Sequence, residues 1–112
     1  MNLTKIYCDI AELKLIKKFA KKAAVKGFTT NPSLIRKAGA KDYTKYSKKI
    51  LKFCKKKPVS LEVFADRAPE IVRQALIISS WGKNVYVKIP IINSKNKFMG
   101  EAIKELSNKK IN

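Results

Sequence analysis

Val85-Tyr86-Val87-Lys88-Ile89-Pro90 is the stretch on which the reading of this chain turns. β-Branched and aromatic residues alternate with others after a turn signal at Gly82-Lys83-Asn84, which is the pattern of a strand. Pro90 ends it. Lys88 is out of place in an ordinary strand, because Val87 and Ile89 flank it with apolar side chains. A lysine amine attacks a carbonyl only when neutral. Freeing its proton at pH 7, from a reference pKa near ~10.4, costs about 4 kcal/mol. Burial among apolar neighbours lowers that cost by disfavouring the charged form. Lys88 is therefore a candidate imine-forming nucleophile, and this reading expects it to be buried. The alternative is a strand-end lysine that carries its amine out to water.

The rest of the chain repeats the motif of strand followed by helix. A first strand is expected over 5–10 and a helix over 11–24, with Leu13, Ile16, Ala20 and Ala23 on one face and Gly27 at the helix exit. A short second strand follows over 28–31. Asn31 then caps a helical turn that has Pro32 at its first position and Gly39 at its close. A longer helix over 42–56 turns Tyr43, Tyr46, Ile50, Phe53 and Cys54 inward, and Pro58 breaks it. Val59 to Phe64 alternates as a third strand. Asp66 and Pro69 announce a helix with Ile71, Val72, Ala75, Leu76 and Ile78 inward. After the lysine strand comes a polar loop over 93–97, then a helix burying Phe98, Ala102, Ile103 and Leu106. Four alternations of strand and helix argue for an α/β fold of parallel strands joined by helical crossovers, with no linker and no second domain.

Composition narrows the function classes. A chain of 112 residues with 46% hydrophobic content can bury the core of one small domain. No apolar run approaches the ~20 residues of a membrane span. Met1-Asn2-Leu3-Thr4-Lys5 carries no signal-peptide pattern. Two widely spaced cysteines, Cys8 and Cys54, and no histidine indicate neither a disulfide framework nor a metal site. A reducing, cytoplasmic setting is expected. The formal net charge of +18 invites a nucleic-acid reading. However, only Arg36, Arg67 and Arg73 are arginine, and the lysines spread over every helix. The aromatic residues fall on core-like positions instead of forming stacking platforms between charges. Most lysines therefore read as solvated helix faces, and nucleic acid is at most a non-specific partner at low salt.

The two-residue period of strands then sorts the side chains. Ile6, Cys8 and Ile10, Val59, Leu61 and Val63, and Val85, Val87 and Ile89 should face the helices. The opposite parity holds Tyr7 and Asp9, Thr29 and Asn31, Ser60 and Glu62, and Tyr86 and Lys88. Each polar face ends in a functional group near the C-terminal end of its strand, where parallel sheets build their sites. Asp9, Asn31, Glu62 and Lys88 should converge on one rim, where two carboxylates beside an amine can shuttle protons. The competing roles are local: Asp9 or Asn31 as a helix cap, Glu62 as a partner for a lysine, and Thr29-Thr30 as ordinary strand formers.

Four of these stretches resemble the transaldolase family, including its small transaldolase-like and fructose-6-phosphate-aldolase-like branches. They are Tyr7-Cys8-Asp9-Ile10-Ala11, Thr29-Thr30-Asn31-Pro32-Ser33-Leu34, Leu61-Glu62-Val63 and Val87-Lys88-Ile89-Pro90. They occur in the family's order on successive strands, and the Thr-Thr-Asn-Pro-Ser-Leu run is the most specific. The resemblance implies a TIM (β/α)8 barrel of class I aldolase type, of which this chain holds the first four βα units. It implies Lys88 as the Schiff-base lysine, Asp9 as the proton-transfer group and Glu62 as the activator of water. Asn31 would hold sugar hydroxyls, with Thr29 and Ser33 supporting the rim. The implied activity moves a dihydroxyacetone unit between sugar phosphates, in the pentose phosphate part of carbohydrate metabolism, without metal or organic cofactor. Glu62 favours transaldolase, because the fructose-6-phosphate-aldolase branch tends to carry Gln there.

The family's fifth-strand threonine and asparagine, and the serine and arginine that bind phosphate on later strands, have no counterpart in these residues. The loop Asn93-Ser94-Lys95-Asn96 replaces the commoner Thr-containing turn. The expectation is a truncated, single incomplete domain over 1–112 that self-associates or is completed by a C-terminal half, because four barrel strands leave two edges open. A basic polyanion-binding module and a non-functional remnant stand as the alternatives.

Overall fold

The computed structural model describes residues 4–112, so the reading of the first three residues falls outside it. Nine elements follow in order: β1 (Ile6–Asp9), α1 (Leu13–Ala20), β2 (Val25–Thr29), α2 (Pro32–Lys37), α3 (Tyr43–Cys54), β3 (Val59–Glu62), α4 (Ala68–Ser79), β4 (Val85–Lys88) and α5 (Gly100–Asn108). The strands form one parallel sheet in the order β1-β2-β3-β4. The expected α/β architecture is therefore present as four βα units of a TIM-barrel-like fold whose barrel is not closed.

Alternation decides which face of the sheet is covered. Phe28, Val59 and Leu61 are fully buried and Val25 and Val85 nearly so, all in the layer where the helices pack. Ile16, Ile35, Ile50, Ile71 and Ala75 meet them from the helix side. α1 lies against α3, and α4 lies against both α5 and β4. Among the described residues no helix covers the opposite face: Tyr7, Asp9, Tyr86 and Lys88 are all exposed on it.

Local chemistry explains several boundaries. Asn31 takes an extended backbone and its side chain accepts the Leu34 N–H at 2.8 Å, with Pro32 opening α2 as expected. Asp42 does the same for α3 by accepting the Lys45 N–H at 3.0 Å. Gly39 closes the α2 turn with φ of 93°, a conformation that glycine adopts without strain.

Four expectations fail for reasons that lie beyond the local pattern. Gly27 is no helix exit. It lies inside β2, paired with Tyr7, after a register shift between Ile6 and Tyr7. A Cβ there would overlap the Tyr7 ring and approach the Pro58 carbonyl oxygen to 2.8 Å, so glycine serves the close approach of neighbouring groups. α1 ends at Ala20, and Ala23 is exposed in the turn that leads to β2. Leu76 is partly exposed because Ile71, Val72, Ala75 and Ile78 already fill the buried stripe of α4. Phe98 precedes α5 and is 73% exposed, held by an antiparallel bridge to Ile92, while Ala102 and Leu106 are the buried residues of α5.

Candidate active site

The uncovered face of the sheet carries the candidate residues in two rows. The pairings Asp9 with Thr29, Thr29 with Ser60, and Ser60 with Tyr86 set one row across all four strands. Glu62 pairs with Lys88 one step nearer the C-terminal ends. The Thr30 N–H donates to the Ser60 carbonyl at 3.1 Å, and carrying the Thr29–Ser60 register on by two residues puts Asn31 beside Glu62. Asp9, Thr29, Asn31, Glu62 and Lys88 thus share one face near one end of the sheet. Ser33 lies just past them, exposed in the first turn of α2.

Each side chain has its own setting. The Thr29 hydroxyl donates to Asp9 Oδ1 at 2.9 Å, which fixes the Asp9 carboxylate against β2. Asp9 is therefore not a helix cap. The N-cap of α1 is Glu12, which makes no side-chain capping bond. Asn31 spends its Oδ1 on Leu34 and keeps its amide donors for another acceptor. Glu62 and Thr29 are half-buried. Lys88 is exposed, which overturns the expected burial. Val87 and Ile89 flank Lys88 in sequence, but the strand period turns them toward the helices while Lys88 faces the open side. Apolar sequence neighbours do not desolvate a strand residue; only residues on its own face can.

The frame around this face is built from residues to which the sequence reading gave no part in the site. Tyr46 donates its hydroxyl to the Ala11 carbonyl at 2.8 Å, tying α3 to the loop after β1. Tyr43 donates to the Glu62 carbonyl at 3.1 Å, holding the end of β3, and burial pushes the Tyr43 phenol up to about 12. The Thr30 hydroxyl, fully buried, donates to the Ser60 carbonyl at 2.8 Å and clips β2 to β3. Gln74 Oε1 accepts the N–H groups of Phe64 and Ala65 at 2.8 and 2.9 Å, bracing the loop after β3.

The loop after the lysine strand is also pinned. Its Asn93 is buried and donates to the Asp66 carbonyl at 2.9 Å, while its Oδ1 accepts from the Lys95 and Lys97 N–H groups at 3.0 and 2.8 Å. Asp66 accepts the Ser94 N–H at 2.9 Å and the Ser94 hydroxyl at 2.5 Å. Those two Ser94 donors hold the Asp66 carboxyl below the usual carboxylate range. The loops that follow Glu62 and Lys88 are thereby clasped together. The signal for this was present in the Asp and Asn residues, which favour turns and local side-chain bonds, but their partners lie 27 and 28 residues away in sequence.

Among the described residues no group of three or more Cys, Asp or Glu side chains is arranged to hold a metal ion. No helix among them is long and apolar enough to cross a membrane.

Comparison with known proteins gives the family. Residues 6–112 match the family described as Transaldolase/Fructose-6-phosphate aldolase. A probable transaldolase of Leptospira biflexa is 42% identical over 92 residues, covering 82% of this chain and 41% of the relative. A probable transaldolase of Dehalococcoides mccartyi is 40% identical over 86 residues, covering 77% of this chain and 40% of the relative. A probable transaldolase of Thermoplasma volcanium is 38% identical over 109 residues, covering 96% of this chain and 47% of the relative. The chain thus spans less than half the length of the curated relatives that it matches. The family match covers all four strands together with their helices, and on it the chain belongs to the transaldolase/fructose-6-phosphate aldolase family.

Proposed function

We propose that residues 1–112 form one domain, the first four βα units of a transaldolase-type barrel, and that its open face carries Schiff-base chemistry on Lys88. The substrates are sugar phosphates, and the transferred group is a dihydroxyacetone unit. The reading needs no metal or organic cofactor, and a cytoplasmic setting accords with it. It rests on the pairing of Glu62 with Lys88 one row from the Asp9–Thr29 hydrogen bond.

In this reading the neutral Lys88 amine adds to the ketose carbonyl. Glu62 delivers a proton, through water, to the departing hydroxyl, so that water leaves and an iminium forms. Asp9 takes the proton of the hydroxyl on the carbon beyond the bond to be broken. The electron pair of that carbon–carbon bond moves into the iminium, giving an enamine on Lys88 and a free aldose. The acceptor aldehyde is then attacked by the enamine, its oxygen recovers the proton from Asp9, and water releases the new ketose and the amine. Asn31 contributes amide donors to the sugar hydroxyls, Thr29 orients Asp9, and Ser33 supports the rim from the start of α2. Lys88 is exposed, so substrate binding has to exclude water before the amine can react.

Reduction with borohydride in the presence of fructose 6-phosphate or dihydroxyacetone tests the mechanism. A stable adduct should map to the peptide containing Lys88 and vanish in Lys88→Met. An adduct that maps elsewhere, or that persists in Lys88→Met, removes the basis for the proposal.

A further inference from the structure

The positive charge is divided unevenly along the chain. Residues 13–61 hold 16 of the 26 basic residues and one of the eight acidic ones, Asp42, so that stretch carries +15 of the formal +18. It folds into α1, β2, α2, α3 and the start of β3.

Within it, a cleft of about 780 Å³ opens between the ends of α1 and α3. Lys17, Lys21, Lys52, Lys55, Lys56 and Lys57 line it, and among the described residues no carboxylate does. Ala20, Phe53 and Cys54 complete the lining with apolar surface. α1 and α3 pack directly against each other, so both walls are elements of this chain. The lysines come just before β2 and β3, at the sheet end opposite the one that carries Lys88. We propose that this cleft binds an oligophosphate, a short chain of phosphoryl groups, independently of the candidate active site.

Three observations favour that ligand. The first is preorganisation. Lys17 Nζ lies 4.3 Å from the centroid of the Phe53 ring, and the Lys57 amine donates to the Lys22 carbonyl at 2.8 Å. Two ammonium groups are thus held at the cleft by neutral partners, which leave their charge uncompensated. The second is the backbone of Lys55, which closes α3 at φ 54° and ψ −104°. Glycine takes this conformation readily, whereas lysine takes it with strain, and strain of this kind collects at ligand clamps. The third is crowding. Lys17, Lys18 and Lys52 already stand in the last turns of α1 and α3, where they complement the helix dipoles. Lys55, Lys56 and Lys57 follow in an unbroken run and add like charge to the same place, a repulsion that bound phosphate relieves.

The lining suits a small phosphate chain better than a nucleic acid. Lysines act on phosphate as point charges. Among the described residues no arginine fork lines the cleft to read base edges, and its one aromatic ring, Phe53, is engaged by Lys17.

Calorimetric titration of the full chain with inorganic tripolyphosphate, at constant physiological ionic strength, should show saturable binding of one ligand per chain. Orthophosphate should bind at least about tenfold more weakly, because it reaches fewer of the lysines at once. Lys52→Gln with Lys56→Gln removes two exposed lysines of the cleft and should weaken tripolyphosphate about tenfold. Lys41→Gln with Lys45→Gln changes the net charge equally at the opposite end of α3, beyond the screening length, and should leave the affinity within about twofold. Lys55→Gly should raise the thermal midpoint of the free protein and weaken binding together. Binding that does not saturate, or equal losses in the two double variants, would mean attraction to the overall charge and overturns the proposal. A single-stranded oligonucleotide that outcompetes tripolyphosphate at equal phosphate concentration overturns it too, and assigns the cleft to nucleic acid. Lys88→Met should bind tripolyphosphate as the parent does, so a failed borohydride trap leaves this site standing.

Discussion

Gly27 and Cys54 show how single residues report on the packing around them. At Gly27 the ring of Tyr7 and the carbonyl of Pro58 occupy the space of a side chain. Gly27→Ala is expected to destabilise the fold by about 1–3 kcal/mol in urea unfolding, the usual range for an overpacked site. Removing the ring as well, in Tyr7→Ala with Gly27→Ala, should recover only part of this, because the Pro58 carbonyl belongs to the backbone. Cys54 is buried, and burial pushes its thiol up to about 12, whereas Cys8 is only half-buried. A thiol reagent near neutral pH should therefore label Cys8 in the native protein and reach Cys54 only after denaturant is added. The sign of the linkage follows. The raised native pKa adds stability that is intact below the unfolded thiol pKa of about 8.5, and that stability drains away as pH rises toward the native value. Alkaline unfolding midpoints measured in Cys54→Ala, which lacks the ionisable group, should fall less steeply with pH.

At the scale of elements, the rim is held by caps and clasps. Asn31→Ala removes the acceptor for the Leu34 N–H and should cost about 1 kcal/mol. Asn31→Asp keeps the cap but loses the amide donors, so it should preserve stability while weakening any sugar binding at the rim. The Asp66–Ser94 clasp has a pH signature. The carboxyl of Asp66 is lowered in the native state, so its contribution is present above the ordinary Asp pKa of about 3.9 and is lost as pH falls through the native value. Asp66→Asn should lower the thermal midpoint near neutral pH, and the gap to the parent should close in acid. A gap that is independent of pH would mean that the carboxylate charge plays no part in holding the two loops together.

For the molecule as a whole, a formal charge of +18 on 112 residues sets up self-repulsion that salt screens. The thermal midpoint should rise from low to physiological ionic strength, and retention on an anionic column should fall over the same range. Much of the architecture was legible before any coordinates. Strand and helix periods, Asn31 with Pro32, and Gly39 are all local signals, and each element they announce is present. The shared polar face was legible too, because a two-residue period needs only the sequence of a strand to sort its side chains. Tertiary structure alone decided what lies opposite that face. Lys88 is exposed despite Val87 and Ile89, Phe98 lies outside its helix, Gly27 sits under a tyrosine ring, and Asn93 reaches across to Asp66. Those outcomes depend on which elements pack across the sheet and which loops meet at its end. Contacts between residues far apart in the chain leave no periodic trace in it, whereas the direction in which a strand residue points is written by its immediate neighbours.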